Sequence, residues 1–394
     1  MNVILSEPML IAESPFVNEP AIDRWGLYQF PALDRLMDGR IAVTFHINAD
    51  SAKAYGKATE EPNRGVSADG GQTWQRVFPS DPVAGIRLPN GERLRVGTAD
   101  VTPRPVPISD CSLPPKRGTA IGSYGQQPYG CYRHNELPKD LQGVPMTRWS
   151  ESAPSWQVER ARLDDPELLR SSTEGVFPVV WWGDVNLAPD GSLIAVVYPA
   201  RLEGAEFGHW HCACYRSVDG GRSWQVRGRL LYRPDLSADA AAAKRDGFSE
   251  PASLILSSGE ILAVLRTTDG NGDGPLYLSR SNDLGETWTP PRVIRPNGVM
   301  PRLLRLGNGM VVLSTGRPGA ELLFSKDGRG EQWSEPYPLV PIISDYNQHD
   351  SCGYTSLLAL DDDSFLVAYS WFQKPTGDGQ TRKAIQVRRV QITL

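Results

Sequence analysis

The chain of 394 residues is 40% apolar and 22% charged; its net charge of −5 argues against a nucleic-acid partner, and no apolar run approaches a membrane span. With 38 Gly, 33 Pro and 11 Trp it suits many short strands joined by turns, and no long amphipathic helical pattern is present. Five cysteines (Cys111, Cys131, Cys212, Cys214 and Cys352) are an odd number without disulfide-scaffold spacing, so they read as mostly free thiols of a reducing compartment.

Residues Met1 to Glu7 carry no basic region followed by an apolar stretch. A cytoplasmic location is therefore expected, or an exported one if a signal has been removed, in which case Cys111 and Cys131 are the candidates to pair. Residues 1–12 read as a strand that completes the last repeat of the chain and leaves no open sheet edge. From there the chain repeats a cadence of apolar strand, tight turn and second apolar strand. It is first seen in Gln29 to Leu36, Asp38-Gly39 and Ile41 to Ile47. The same cadence returns around Asp190-Gly191, Ser258-Gly259, Asn308-Gly309 and Asp362-Asp363, and such turns between alternating strands are strong hairpin signals.

In four of these units a second turn follows: Ser67-Ala68-Asp69-Gly70-Gly71-Gln72-Thr73-Trp74, Ser217-Val218-Asp219-Gly220-Gly221-Arg222-Ser223-Trp224, Ser281-Asn282-Asp283-Leu284-Gly285-Glu286-Thr287-Trp288 and the looser Ser325-Lys326-Asp327-Gly328-Arg329-Gly330-Glu331-Gln332-Trp333. The Asp accepts from backbone N–H groups ahead of it, Gly takes a positive φ, and the Trp is expected to be buried beneath the returning strand. Counting units gives six four-stranded blades at about 24–80, 84–164, 175–233, 247–296, 298–340 and 346–394. The predicted fold is all-β, a six-bladed β-propeller forming a single domain over 1–394. The second blade lacks the Ser-x-Asp turn and carries an insertion over 98–150 rich in Pro, Gly and Tyr. The Ala-rich 238–246 reads as a short helix.

Short turns at one end of the blades and long connections at the other put the expected ligand cleft among the long connections. Aligned on the first turn of each unit, Glu250 lies nine residues before Gly259 and Tyr354 nine before Asp363, with Phe30, Trp182 and Met300 as equivalents elsewhere. Arg266 lies seven residues after Gly259 and Arg317 eight after Gly309. Two guanidiniums in that register suit bidentate binding of a carboxylate; the plain alternative is a pair of rim salt bridges, with Tyr354 an inner-strand aromatic and Glu250 a solvated strand end. His46 shares the register of Arg266 and is a candidate acid or base, or simply a cap of the strand. Asp50, just past the same strand, is the best-positioned candidate acid, and His349-Asp350 precede Tyr354 where they can orient substrate. In His209-Trp210-His211-Cys212-Ala213-Cys214 strand alternation puts the two His and the two Cys on opposite faces, so no metal site is expected.

The four Ser-x-Asp turns are identified as Asp-boxes. Together with Glu250-Pro251, Arg266, Arg317 ahead of Leu322-Leu323-Phe324-Ser325-Lys326-Asp327, and Gly353-Tyr354-Thr355-Ser356-Leu357, they resemble the sialidase (neuraminidase) family. The resemblance implies a Tyr nucleophile (Tyr354) activated by Glu (Glu250), an Asp general acid/base and three Arg on the sugar carboxylate, with no cofactor. A phenol is the fitting nucleophile because a carboxylate would be repelled by the substrate's own carboxylate. Gln29 stands where the family's first Arg sits, and Arg24 is the nearby loop residue placed to substitute for it. The expected partner is an acidic glycan, cleaved by an exo-acting hydrolase; a propeller-fold polysaccharide lyase acting on a uronate and a non-catalytic carbohydrate-binding propeller remain as alternatives.

Overall fold

A computed structural model describes the chain apart from residues 18–24, 52–53, 55–58, 97–105, 122–127, 173, 178–180, 269–273, 343–352 and 394. The described residues are strands joined by turns, with a few 3-10 turns, one of which (Ala242–Lys244) lies in the Ala-rich stretch 238–246. No helix among them is long and apolar enough to cross a membrane. The chain divides into two compact units, Met1–Asp50 with Ala58–Ala84 and Asn297–Leu394, and Ser51–Lys57 with Gly85–Pro296.

The first unit holds three sheets. Two are four-stranded meanders, one of Gln29–Arg35, Ile41–His46, Arg64–Ser67 and Gln75–Val77, the other of Val299–Arg305, Val311–Gly316, Ala320–Ser325 and Tyr337–Val340. In the third, Thr355–Ala359, Ser364–Pro375 and Thr381–Thr393 are joined by the N-terminal strand Asn2–Leu5, in which Asn2 pairs with Thr393 and Leu5 with Val390; Met9–Val17 also pairs with Thr381–Thr393. Period-two alternation explains why Ser364–Pro375 is apolar almost without interruption. Phe365 and Val367 pack with Phe324 on one side, and Leu366 and Ala368 pack with Val43 and Phe45 on the other.

The second unit repeats this logic. Leu193–Ala200 sends Ala195 and Val197 into a core with Trp181 and Trp224, and Ile194 and Val196 into another with Phe248 and Tyr277. It holds the meander Gly247–Ile255, Ile261–Thr268, Leu276–Ser281 and Arg292–Arg295, and an eight-stranded sheet that fuses two meanders. The fusion is a short parallel pairing of Arg162–Asp164 with Ser223–Gln225. One correction concerns the insertion. Residues 98–150 are not all inserted, because Val144–Ser150 is a strand of the fused sheet, paired on one side with Ala153–Asp164 and on the other with Arg93–Val96. The residues before it build two small sheets together with Leu169–Ser172 and Val176–Phe177, pinned by ion pairs of Arg117 with Glu136 and of Arg133 with Glu203.

Three of the four Ser-x-Asp turns share one hydrogen-bond set. In the turn at Asp283, Ser281 Oγ donates to Asp283 Oδ1 (2.8 Å) and accepts from Gly285 N (2.8 Å), while Thr287 donates to Asp283 through both N and Oγ1 (2.9 and 2.5 Å). The turns at Asp69 and Asp219 repeat it atom for atom. Partial burial pushes the Asp283 carboxyl up, but the Thr287 hydroxyl and backbone N–H outweigh it and bring the pKa down to about 2. The expectation that all four Trp are buried needs correction: Trp224 is fully buried, whereas Trp74, Trp288 and Trp333 are half-buried. Trp74 and Trp288 instead cap the turn itself, each Nε1 donating to the carbonyl of the turn glycine, Gly71 or Gly285 (3.1 Å).

Candidate active site

Three inner hairpins carry the same distortion at the end away from their turn. The ladder slips between Gln29 and Ala32, between Ser249 and Ala252, and between Val299 and Arg302. At each slip one non-glycine residue takes a positive φ, Phe30 at 52°, Glu250 at 41° and Met300 at 38°. In every case proline follows, at Pro31, Pro251 and Pro301, a residue that brings no N–H where the bulge leaves none to pair. Such a conformation costs on the order of 1–3 kcal/mol per residue and re-aims the bulged side chain out of the strand's alternation. Trp182 begins the equivalent strand in the fused sheet, where the left-handed position falls instead to Gly183 at 143°.

In the second unit the bulge brings Glu250 against the next strand. Ser249 pairs with Arg266 across the ladder, and Arg266 Nη1 donates to Glu250 Oε2 at 2.7 Å. The guanidinium is 4% exposed and the carboxylate 17%, so each charge is largely removed from water and is offset by the other.

The first unit gathers a different group. Arg317 follows the strand Val311–Gly316 and is 2% exposed, and its Nε and Nη2 have no hydrogen-bond acceptor among the described residues. Its guanidinium lies 5.2 Å from the ring centre of Trp25 and 5.9 Å from that of Tyr354. Gly353 lies beside it: a Cβ there would be in ordinary contact with Nη2 at 3.5 Å and would crowd Val299 at 2.9 Å. Tyr354 packs edge-on against Phe30 (4.5 Å between ring centres). Trp25 packs edge-on against Phe30 and Phe372 (6.5 and 5.7 Å), and Lys383 lies 4.7 Å from Phe372 and 5.9 Å from Trp25. Asp50 Oδ2 accepts from Trp25 Nε1 at 3.0 Å.

Gln29 and His46 are paired across their ladder and share one task. Gln29 Oε1 accepts from Gly26 N, and His46 Nδ1 lies 3.2 Å from Gly26 O, so the two side chains hold both sides of the turn that presents Trp25. Gln29 Nε2 is buried without an acceptor among the described residues. Thus Gln29, Phe30, His46, Asp50, Arg317 and Tyr354 fall in one cluster of the first unit, and Glu250 and Arg266 form a pair in the second. Arg24, His349 and Asp350 lie outside the described residues, as does the side chain of Trp182. Trp25, Lys383 and Gly353 were missed from the sequence. The available signal was an aromatic beside glycine, Trp25-Gly26, directly ahead of the first inner strand.

No protein-family model matches the chain, and no curated protein matches it. Solved structures do. A protein of unknown function from Dyadobacter fermentans is 19% identical, with 99% of each chain covered and a TM-score of 0.59. NanB sialidase from Streptococcus pneumoniae, in complex with 2-[(3-chlorobenzyl)ammonio]ethanesulfonate, is 13% identical at a TM-score of 0.53, covering 98% of this chain and 71% of that one. The fold is therefore sialidase-like and all-β.

Proposed function

We propose that the chain is an exo-acting glycoside hydrolase of sialidase type, its six meanders closing as a propeller. It removes a terminal acidic sugar from a glycan, with Tyr354 as nucleophile, Glu250 as the base that activates it and Asp50 as general acid. The observation that carries this reading is Arg317. A buried guanidinium whose Nε and Nη2 have no acceptor among the described residues is costly to hold, and a substrate carboxylate is the group that offsets it, with bidentate geometry. Trp25, Phe30 and Tyr354 supply apolar faces beside that charge, as a sugar ring requires. The Asp-box assignment of the four turns and the sialidase-like fold support the family's chemistry. Arg266, paired with Glu250 at 2.7 Å, acts here as the partner that holds Glu250 in place. Gln29, His46, Trp182, Arg24, His349 and Asp350 are proposed as further substrate contacts.

A non-catalytic carbohydrate-binding reading has one observation in its favour: Gln29, where the resembling family has Arg, is committed to Gly26. One screen decides between them. The purified protein is incubated with chromogenic sialosides, uronosides and neutral glycosides, while absorbance is followed for the unsaturated product of a lyase. Release of chromophore from an acidic glycoside, lost in Tyr354→Phe, is the expected result. Binding of acidic sugars without turnover would establish the binding module, and preference for neutral glycosides would overturn the role of Arg317.

A further inference from the structure

Trp25 touches every charged group of the first-unit cluster that the proposed reaction uses. It is joined to Asp50 twice: its Nε1 donates to Asp50 Oδ2 (3.0 Å), and its carbonyl accepts from Asp50 N (3.2 Å). The turn that carries it is fixed from behind, because Gly26 is held by Gln29 Oε1 and lies within reach of His46 Nδ1. Gly26 itself, at φ 94°, lies so close to the following loop that a Cβ would fall 2.3 Å from Asp50 N and 2.5 Å from Asn48 O. The face of the indole is fixed as well, by Arg317, Lys383, Phe30 and Phe372. Asp50 is exposed and sits on a loop beyond the strand Ile41–His46, where a lone carboxylate would sample many orientations.

From these contacts we infer that Trp25 is the positioning residue for Asp50. Its indole N–H aims the carboxylate, and its ring fixes that carboxylate's place relative to Arg317. The inference rests on the proposed hydrolase only for the role of Asp50; the clasp itself is a property of the free protein. A cation on the face of an indole draws density from the ring and makes its N–H a better donor, so Arg317 strengthens the bond to Asp50 while it waits for an anion. Among the described residues the titratable or charged groups around the clasp are Asp50 on its loop, His46 on the adjacent strand, Arg317, and Lys383 on the strand Thr381–Thr393.

The test reads the clasp and the catalysis separately. In ¹⁵N-labelled protein the Trp25 indole resonance, assigned by its loss in Trp25→Phe, is followed through the carboxylate range of pH. It is expected to titrate in the parent protein and to stop titrating in Asp50→Asn, which keeps an acceptor at that place. In a parallel assay with 4-methylumbelliferyl sialoside, Trp25→Phe keeps an aromatic ring but loses the donor. It is expected to lower kcat on the order of tenfold, with KM nearly unchanged and a shifted pH limb, whereas a purely structural role would leave the pH limb unmoved. An indole resonance that ignores pH in this range, or one that titrates equally in Asp50→Asn, overturns the inference. If the sialoside is not turned over at all, the hydrolase reading fails on that arm, and the indole titration still decides whether Trp25 holds Asp50.

Discussion

Arg266 and Arg317 occupy corresponding ends of two inner hairpins, and both are almost fully buried, yet they live in opposite electrostatic states. Arg266 has a carboxylate 2.7 Å away; Arg317 has two aromatic rings and a glycine backbone. The difference teaches that register alone does not assign a role. A buried cation already paired by its own fold contributes to holding its partner in place, whereas one whose Nε and Nη2 meet no acceptor among the described residues is completed when an anion is supplied.

The largest effect that would sharpen this contrast is on binding. Arg317→Met should weaken an acidic sugar by about 2–5 kcal/mol, read as the change in kcat/KM or in calorimetric affinity, with no loss in thermal midpoint. A fall in stability without a fall in affinity would show that Arg317 is structural and erase the distinction. Next comes stability. Arg266→Met removes the guanidinium that lies 2.7 Å from the Glu250 carboxylate, at a cost of about 3 kcal/mol in denaturant unfolding, and the double variant with Glu250→Gln should recover part of it; simple additivity would break the pairing argument. The smallest effect concerns a feature both units share and serves as the control. The Asp283 carboxyl has a folded pKa of about 2, below the value of about 4 it has unfolded. Its stabilisation is therefore fully present above about pH 4 and lost as pH falls toward 2. Thr287→Ala should reduce stability by about 1 kcal/mol at neutral pH, converging with the parent in acid. Acid unfolding curves that stay parallel through that window would remove the assigned cause of the shift.

Much of the fold was legible because turns are local. Ser281, Asp283, Gly285 and Thr287 satisfy one another within seven residues, so the pattern is the structure, and it could be read four times over. Val144–Ser150 was hidden because its ladder partners, Arg93–Val96 and Ala153–Asp164, are split by the inserted sheets. At the candidate site, alignment on Ser258-Gly259 already put Glu250 and Arg266 on the two strands of one hairpin, but did not show the bulge that turns Glu250 toward that guanidinium. The neighbourhood of Arg317 was further out of reach. Trp25, Tyr354 and Lys383 meet it from three distant stretches of chain, and no period in the sequence links them.

The pairing of Asn2–Leu5 with Thr381–Thr393 also has a meaning in time. Ser6 O accepts from Arg388 Nε at 2.6 Å across a separation of 382 residues, so Asn2–Leu5 waits during synthesis for a strand made much later. Until then Thr355–Ala359 and Ser364–Pro375 pair with each other, and the edge of Ser364–Pro375 that will meet Thr381–Thr393 stays open. Contacts of such separation are the slow ones in folding, and unpaired strand edges of this kind are where chains associate wrongly. Synthesis rate and chaperone supply, more than the stability of the finished molecule, should therefore govern the yield of soluble protein.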